Sequence, residues 1–211
     1  MSCCKSYTLT YFNITGRAET IRLIFAAGGI KYEDKRIEQS EWPAMKPNTP
    51  WGTLPTLTVG GKTVVGQSMA IARYVAREAG LAGKCSMEQL QVDSVADAIT
   101  ELCDKTIPIF MIQDADKKSA AQNELLTQCL PAVLTKIANF HDSNNGGKSF
   151  LVTDKMTWAD IHWYATMELM SFAVPGAAEL INKQYPRLQQ LFERVAANPK
   201  IAEYIKKRPQ P

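Results

Sequence analysis

The side chains able to do chemistry in this 211-residue chain are few, and their types narrow what that chemistry is. Only two histidines are present, His141 and His162, so a histidine-rich metal site is hard to assemble and a catalytic triad has few candidates. Five cysteines, Cys3, Cys4, Cys85, Cys103 and Cys129, make an odd count with no C-x-x-C pair and no zinc spacing; they read as reduced thiols, and no metal is expected. Two phenols stand near the start of the chain, Tyr7 and Tyr11. A phenol with its ordinary pKa near 10 keeps its proton at neutral pH and can donate it in a hydrogen bond. Tyr11 closes a strand-like run, and Gly16-Arg17 opens a helix just beyond, whose N-terminal dipole favours an anion nearby. The blander alternative for either tyrosine is a packed core side chain, the commoner fate of a strand tyrosine. By period-two counting the two share one strand face. Further on, Gln67-Ser68 opens a helix whose first N–H groups suit a carboxylate, with Ser68 as N-cap. Trp42 and Lys46, four apart, would share one face of a helical turn, or else be a surface anchor and a solvated lysine.

The elements that position these residues follow from periodicity. Tyr7 to Phe12 alternates as a short strand, and Arg17 to Ala27 places Ile21, Ile24 and Phe25 at helical spacing, stopped by Gly28-Gly29. A second strand at Tyr32 to Ile37 makes the opening β-α-β. Pro43, Pro47, Pro50 and Pro55 punctuate a stretch expected to be mostly irregular. Thr56 to Val59 and Thr63 to Val65 flank Gly60-Gly61 as a hairpin, and Ser68 to Glu78 reads as a helix ended by Gly80. Beyond the linker Gly80-Leu81-Ala82-Gly83 the strand signal stops, and amphipathic helices are expected at Met87 to Leu102, Ser119 to Phe140, Thr157 to Met170 and Pro186 to Ala197. In Met156-Thr157-Trp158-Ala159-Asp160-Ile161, Thr157 and Asp160 form a capping box, with Met156 and Ile161 as its hydrophobic staple. The fold class is therefore α/β followed by all-α, with domains at 1–80 and 83–211.

Composition excludes several classes. Hydrophobic residues at 45% and charged residues at 21% describe an ordinary globular protein. A net charge of +3, with basic residues scattered except for Lys206-Lys207-Arg208, argues against nucleic acid. No apolar run approaches the roughly 20 residues of a membrane span. Met1 to Lys5 runs straight into the first strand with no room for a secretory signal, so a cytoplasmic address is expected.

The runs Tyr7-Thr-Leu-Thr-Tyr-Phe-Asn-Ile-Thr-Gly-Arg-Ala-Glu19, Gln67-Ser-Met-Ala-Ile-Ala-Arg-Tyr74 and Met156-Thr-Trp-Ala-Asp160 resemble cytosolic glutathione transferases, the sigma class in particular, which includes glutathione-dependent prostaglandin D synthases. The resemblance runs from about Tyr7 to the terminal Lys-Lys-Arg-Pro. It implies a thioredoxin-like N-terminal domain, an all-helical C-terminal domain, a homodimer, and glutathione as co-substrate with a hydrophobic electrophile.

By the same resemblance Tyr11, not Tyr7, matches the catalytic position, its hydroxyl holding the glutathione sulfur as thiolate. A thiol of pKa about 8.5 is roughly 3% ionised at pH 7, and lowering the pKa by about two units raises that to roughly 75%, a difference of about 2.7 kcal/mol. Leu54-Pro55 is implied to be cis, offering the backbone N–H and C=O of Leu54 to the cysteinyl part of glutathione, with Gly52 and Thr53 along the same wall. Gln67 and Ser68 would take the γ-glutamyl carboxylate, and Trp42 and Lys46 the glycyl end. Arg17 supports the active-site helix, and Glu101 of a partner subunit reaches the γ-glutamyl amine. Asp97, Thr100 and Glu101 share a helix face, where Thr100 replaces an acid of relatives and speaks against a divalent metal. The electrophile pocket is implied near Ile14, Cys103, Ile107 and Phe110.

The leading function is conjugation of the thiolate to electrophiles. The alternatives are glutathione-dependent prostaglandin D isomerisation, with peroxidase activity a further possibility, and a non-catalytic crystallin-like or ligand-binding role. Pro108 and Thr166 depart from the residues expected in a dedicated prostaglandin pocket. A thiol-disulfide oxidoreductase is disfavoured, because no cysteine lies between Phe12 and Ala18.

Overall fold

In a computed structural model describing residues 5–209, the chain forms two compact units: one up to Leu81 together with the C-terminal segment from Pro199, the other Ala82–Asn198. Cys3 and Cys4 lie outside the described residues, while Cys85, Cys103 and Cys129 are free thiols.

In the first unit, strands β1 (Tyr7–Phe12), β2 (Glu33–Ile37), β3 (Thr56–Val59) and β4 (Thr63–Val65) form one sheet in the order β2-β1-β3-β4. β1 runs parallel to β2 and antiparallel to β3, with Thr10 opposite Thr56. A parallel pair needs a crossover, and helix α1 (Glu19–Gly28) supplies it. α3 (Ser68–Glu78) packs on α1. Between β2 and β3 the proline-rich stretch is less irregular than expected. It holds a short helix α2 (Trp42–Met45) and two 3-10 turns, because Pro43, Pro47 and Pro50 each sit in a first turn, where the missing N–H is no loss.

The second unit is all-helical: α4 (Ser86–Thr106), α5 (Ala115–Glu124), α6 (Leu130–Ser143), α7 (Trp158–Ala173), α8 (Ala177–Gln184) and α9 (Pro186–Ala196). The single helix expected over 119–140 is divided by a π-turn at Leu125–Cys129 just ahead of Pro131, which cannot donate to the preceding turn. The expected helical domain at 83–211 also loses its last element. Helix α10 (Pro199–Lys207) belongs to the first unit and packs on α1.

The capping box forms at the start of α7. The Asp160 carboxylate accepts from the Thr157 N–H at 2.7 Å, from the Thr157 hydroxyl at 2.9 Å and from the Leu151 N–H at 2.7 Å, all buried. Burial pushes the Asp160 carboxyl up to about 6, against the pull of these donors. A folded pKa above the unfolded value of about 4 gives stability that is full below pH 4 and fades as pH rises through 6. Replacing Asp160 by Ala strands two buried N–H groups, and denaturant unfolding at pH 7 should show a loss of about 2–4 kcal/mol. Asp160→Asn should lack the decline between pH 4 and 6.

Candidate functional site

The two tyrosines of β1 share the buried face expected of them but have different partners. The Tyr7 ring lies 5.6 Å from Phe25, and its hydroxyl donates to the Glu78 carboxylate at 2.9 Å, so its proton is committed. Burial, together with Tyr74 and Glu78, pushes the Tyr7 phenol further up.

Tyr11, 8% exposed, has its hydroxyl at the 3-10 turn Gly16–Ala18 that leads into α1, where it accepts the Arg17 backbone N–H at 3.2 Å. Among the described residues no acceptor takes its own proton. Burial raises its pKa, while the Arg17 N–H and the charges of Arg17 and Arg22 pull it down; the balance keeps the phenol protonated at neutral pH. A phenol that accepts one hydrogen bond donates the next more strongly.

Gly16 has φ +45°, and a Cβ there would stand 2.7 Å from the Tyr11 hydroxyl oxygen. The turn closes on the phenol because this residue has no side chain.

The other candidates of the first unit lie between β2 and β3 and at the start of α3, apart from Ile14 and Arg17. Trp42 and Lys46 do share a turn, the Lys46 N–H bonding the Trp42 carbonyl, and the Trp42 ring meets Phe12 edge-on at 6.1 Å. Lys46 is exposed, and its stem lies beside Gly52: a Cβ on Gly52 would be 3.7 Å from its Cε. The Leu54-Pro55 bond is cis. Leu54 precedes β3, and extending the β1–β3 register by two residues sets it opposite Phe12, next to Tyr11. Its N–H and C=O join no ladder among the described residues. Thr53, exposed and extended, precedes it.

At α3 the expectation for Ser68 is corrected: Gln67 is the N-cap and Ser68 the first helical residue, with no side-chain cap bond. Gln67 has φ 72° and ψ 105°, a conformation that L side chains rarely adopt. Such strain costs about 1–3 kcal/mol and persists where surroundings enforce it. Just before Gln67, Trp51 and Pro50 pack against Gly66, where a Cβ would be 3.1 Å from the indole. Trp51 also has positive φ, 62°, and is 78% exposed. Neither residue is a glycine, so nothing in the pattern of residue types foretold this backbone. The first helical bond runs from the Ile71 N–H to the Gln67 carbonyl, so the amides of Ser68 to Ala70 precede the ladder.

The remaining candidates are on the second unit, apart from Ile14, which is exposed in the loop after β1. Glu101 is exposed on α4. On the same helix the Cys103 sulfur lies 3.1 Å from the Thr166 hydroxyl, and Thr100 bonds the Ala96 carbonyl and pairs with His162. Ile107 and Phe110 occupy the 3-10 turn after α4, Phe110 stacking on Phe172 at 5.9 Å. Among the described residues, no three or more His, Cys, Asp and Glu side chains converge as metal ligands, and no helix is long and apolar enough to cross a membrane.

These features define a class: a thioredoxin-like unit with a four-stranded sheet, followed by an all-helical unit. The family model "Glutathione S-transferase, N-terminal domain" matches residues 7–77, and "Glutathione S-transferase, C-terminal domain" matches residues 100–208. The chain is 43% identical over 208 residues to the hematopoietic prostaglandin D synthase of Gallus gallus, covering 97% of this chain and 98% of that one. It is 41% identical over 203 residues to S-crystallin SL11 of Nototodarus sloanii, covering 96% and 97%. The sigma class glutathione S-transferase of Fasciola hepatica superposes with a TM-score of 0.87 at 28% identity over 99% of both chains. The chain belongs to the glutathione S-transferase family, in its sigma class, and the co-substrate of that family is glutathione.

Gly16→Ala should push the Tyr11 hydroxyl off the turn. Steady-state assay with glutathione and an aryl halide should show conjugation at pH 6.5 reduced tenfold or more, with the helical circular-dichroism signal kept.

Proposed function

We propose that this enzyme conjugates glutathione to hydrophobic electrophiles, with the Tyr11 hydroxyl donating a hydrogen bond to the glutathione sulfur and holding it as thiolate. The observation that carries this is the contrast within β1: Tyr7 gives its proton to Glu78, whereas Tyr11 accepts from Arg17 N–H and keeps its own proton to give. The thiolate attacks the electrophilic carbon, a sulfur–carbon bond forms, and a leaving group such as chloride departs with the bonding pair. Thiolate stabilisation and proximity supply the rate.

The cysteinyl backbone of the tripeptide pairs with Leu54, beside Gly52 and Thr53, as a one-residue strand addition. Its γ-glutamyl carboxylate meets the N-terminus of α3 at Gln67 and Ser68, and its glycyl carboxylate meets Lys46 beside Trp42. Arg17 holds the turn under Tyr11. Ile14, Cys103, Ile107 and Phe110 are the side chains assigned to the electrophile. The working form is a cytoplasmic homodimer in which Glu101 of a second copy faces the γ-glutamyl amine. Support for a second copy comes from the exposed apolar edge, Val64 and Val65 on β4 with Trp51 nearby in the fold, which a lone chain would leave in water.

Prostaglandin D isomerisation is the second reading, favoured by the name of the Gallus gallus relative. Product analysis separates the two, since an isomerase regenerates glutathione and a transferase consumes it. The S-crystallin relative raises a structural role, against which stands the retention of Tyr11, Trp42, Lys46, Leu54-Pro55 and Gln67-Ser68.

Tyr11→Phe should lower conjugation of chlorodinitrobenzene about fifty-fold at pH 6.5, where a thiol of pKa 8.5 is roughly 1% ionised and one of 6.5 half ionised. By pH 9 the two enzymes should agree within about twofold. A Tyr11→Phe enzyme as fast as wild type at pH 6.5 removes the assigned role. Sedimentation should give about twice the 23.4 kDa chain mass, and Trp51→Ala should shift the population towards the single chain.

A further inference from the structure

Arg22 lies in the middle of α1, and its side chain is entirely buried. A buried guanidinium is tolerated only where its five N–H groups and its charge are matched. Here they are spent on the loop that joins Tyr11 to the α1 turn. One terminal nitrogen donates to the Ile14 carbonyl at 2.6 Å and, more weakly, to that of Thr15 at 3.4 Å, and the other reaches the Phe12 carbonyl at 3.4 Å. Nε donates to Asp34 of β2 at 3.0 Å, and the guanidinium carbon stands 5.8 Å from the centre of the Tyr11 ring. Asp34 also receives Arg36 at 2.8 Å, and Arg36 bonds the Asn13 side chain at 3.1 Å. Every residue from Phe12 to Thr15 is thus tied to one of two arginines.

The other side of Arg22 carries a second carboxylate. Glu19, also buried, sits 3.4 Å from the guanidinium and is approached by the Tyr204 hydroxyl of α10 at 3.2 Å and by Arg208, the residue after α10, at 2.7 Å. Burial works against the Arg22 charge, but Asp34, Tyr204 and Glu19 outweigh it and hold the group protonated beyond its ordinary value. The C-terminal segment therefore closes a chain of alternating charge, Arg208, Glu19, Arg22, Asp34, Arg36, whose centre at Glu19 and Arg22 is buried.

We infer that Arg22 is a positioning residue for the reaction: it fixes the Phe12–Thr15 loop so that the Tyr11 hydroxyl stays against the Arg17 N–H, and the C-terminal segment sets its hold through Arg208 and Glu19. This rests on the Tyr11 reading and adds to it that the acidity of the bound thiol depends on the C-terminal segment. The thiol responds to the direction of the phenol proton, so a loosened loop shows as a less acidic thiol rather than as weaker tripeptide binding.

The pH dependence of kcat/KM for glutathione, with chlorodinitrobenzene fixed, tests this on full-length protein. Arg22→Lys keeps the charge and loses the fork; it should raise the apparent pKa by about one unit, a tenfold loss well below that pKa, with KM for glutathione within threefold. Arg208→Gln should shift it the same way by about half a unit, roughly threefold. In a Tyr11→Phe background neither change should shift the profile further. Single variants with the wild-type profile, whatever their melting temperature, overturn the inference, as does a shift that persists without the phenol. Should Arg22→Lys fail to fold, Arg208→Gln decides. If Tyr11→Phe alone also leaves the profile unmoved, the thiolate role of Tyr11 has fallen as well; if it moves the profile while Arg22→Lys and Arg208→Gln do not, only the positioning role has.

Discussion

A phenol can lend its proton to a ligand only if nothing in the protein takes that proton first, and most of the first unit is arranged to keep this so. Burial of Tyr11 would ordinarily recruit an internal acceptor, as it does for Tyr7, whose hydroxyl finds Glu78. Tyr11 meets a donor instead: the Arg17 N–H occupies one lone pair of the oxygen and leaves the proton directed elsewhere. A 3-10 turn begins where that N–H is needed, and Gly16, with no Cβ, lets the turn come within contact of the phenol. The sheet order sets the rest, because β3 lies antiparallel to β1 and brings Leu54 to the strand end where Tyr11 sits.

The polar groups at that end are held from beneath by charge rather than by apolar packing. All residues of α1 from Glu19 to Phe25 are buried, since the sheet and α3 cover part of the helix and α10 covers another part. A helix enclosed in this way has no solvated stripe, so its two charged residues must find partners inside. They find them in the loop carbonyls, in Asp34 and in α10, and the ion pairs bind a local loop to an element some 189 residues away in the chain. Breaking such a pair from one side leaves an uncompensated charge.

Much of this was legible from residue order alone. β1, β3, β4 and α3 fall at the residues that alternation and turn chemistry indicate, and Thr157 and Asp160 form the capping box that their spacing requires. Both depend on neighbours in sequence. Three features did not follow. The long helix over 119–140 reads as uninterrupted because periodicity registers spacing, not the missing N–H of Pro131 that the π-turn accommodates. Gln67 and Trp51 adopt positive φ although neither is a glycine, so their residue types give no sign of it. Arg22 passes for a solvent-facing residue between Ile21 and Ile24, since nothing local shows that α10 returns to cover it. Its i, i+3 pairing with Glu19 was the one available hint.

Candidate residues for the tripeptide lie within the first unit, apart from Glu101, whereas those assigned to the electrophile are mostly on the second. The two parts are under different physical constraints. In the proposed reaction the first presents a proton, a backbone edge and a helix N-terminus to one invariant ligand, and small displacements of any of these would be costly. The second needs apolar surface, and substitution of one hydrophobic side chain by another of similar volume is tolerated. Thr166, 3.1 Å from the Cys103 sulfur, and Pro108, in the turn after α4, both lie in this second unit. Relatives named as a prostaglandin D synthase and as an S-crystallin each share more than 40% of their residues with this chain, so overall similarity alone does not separate the readings. On the proposed reading, the residues at the β1 strand end are the ones that separate them.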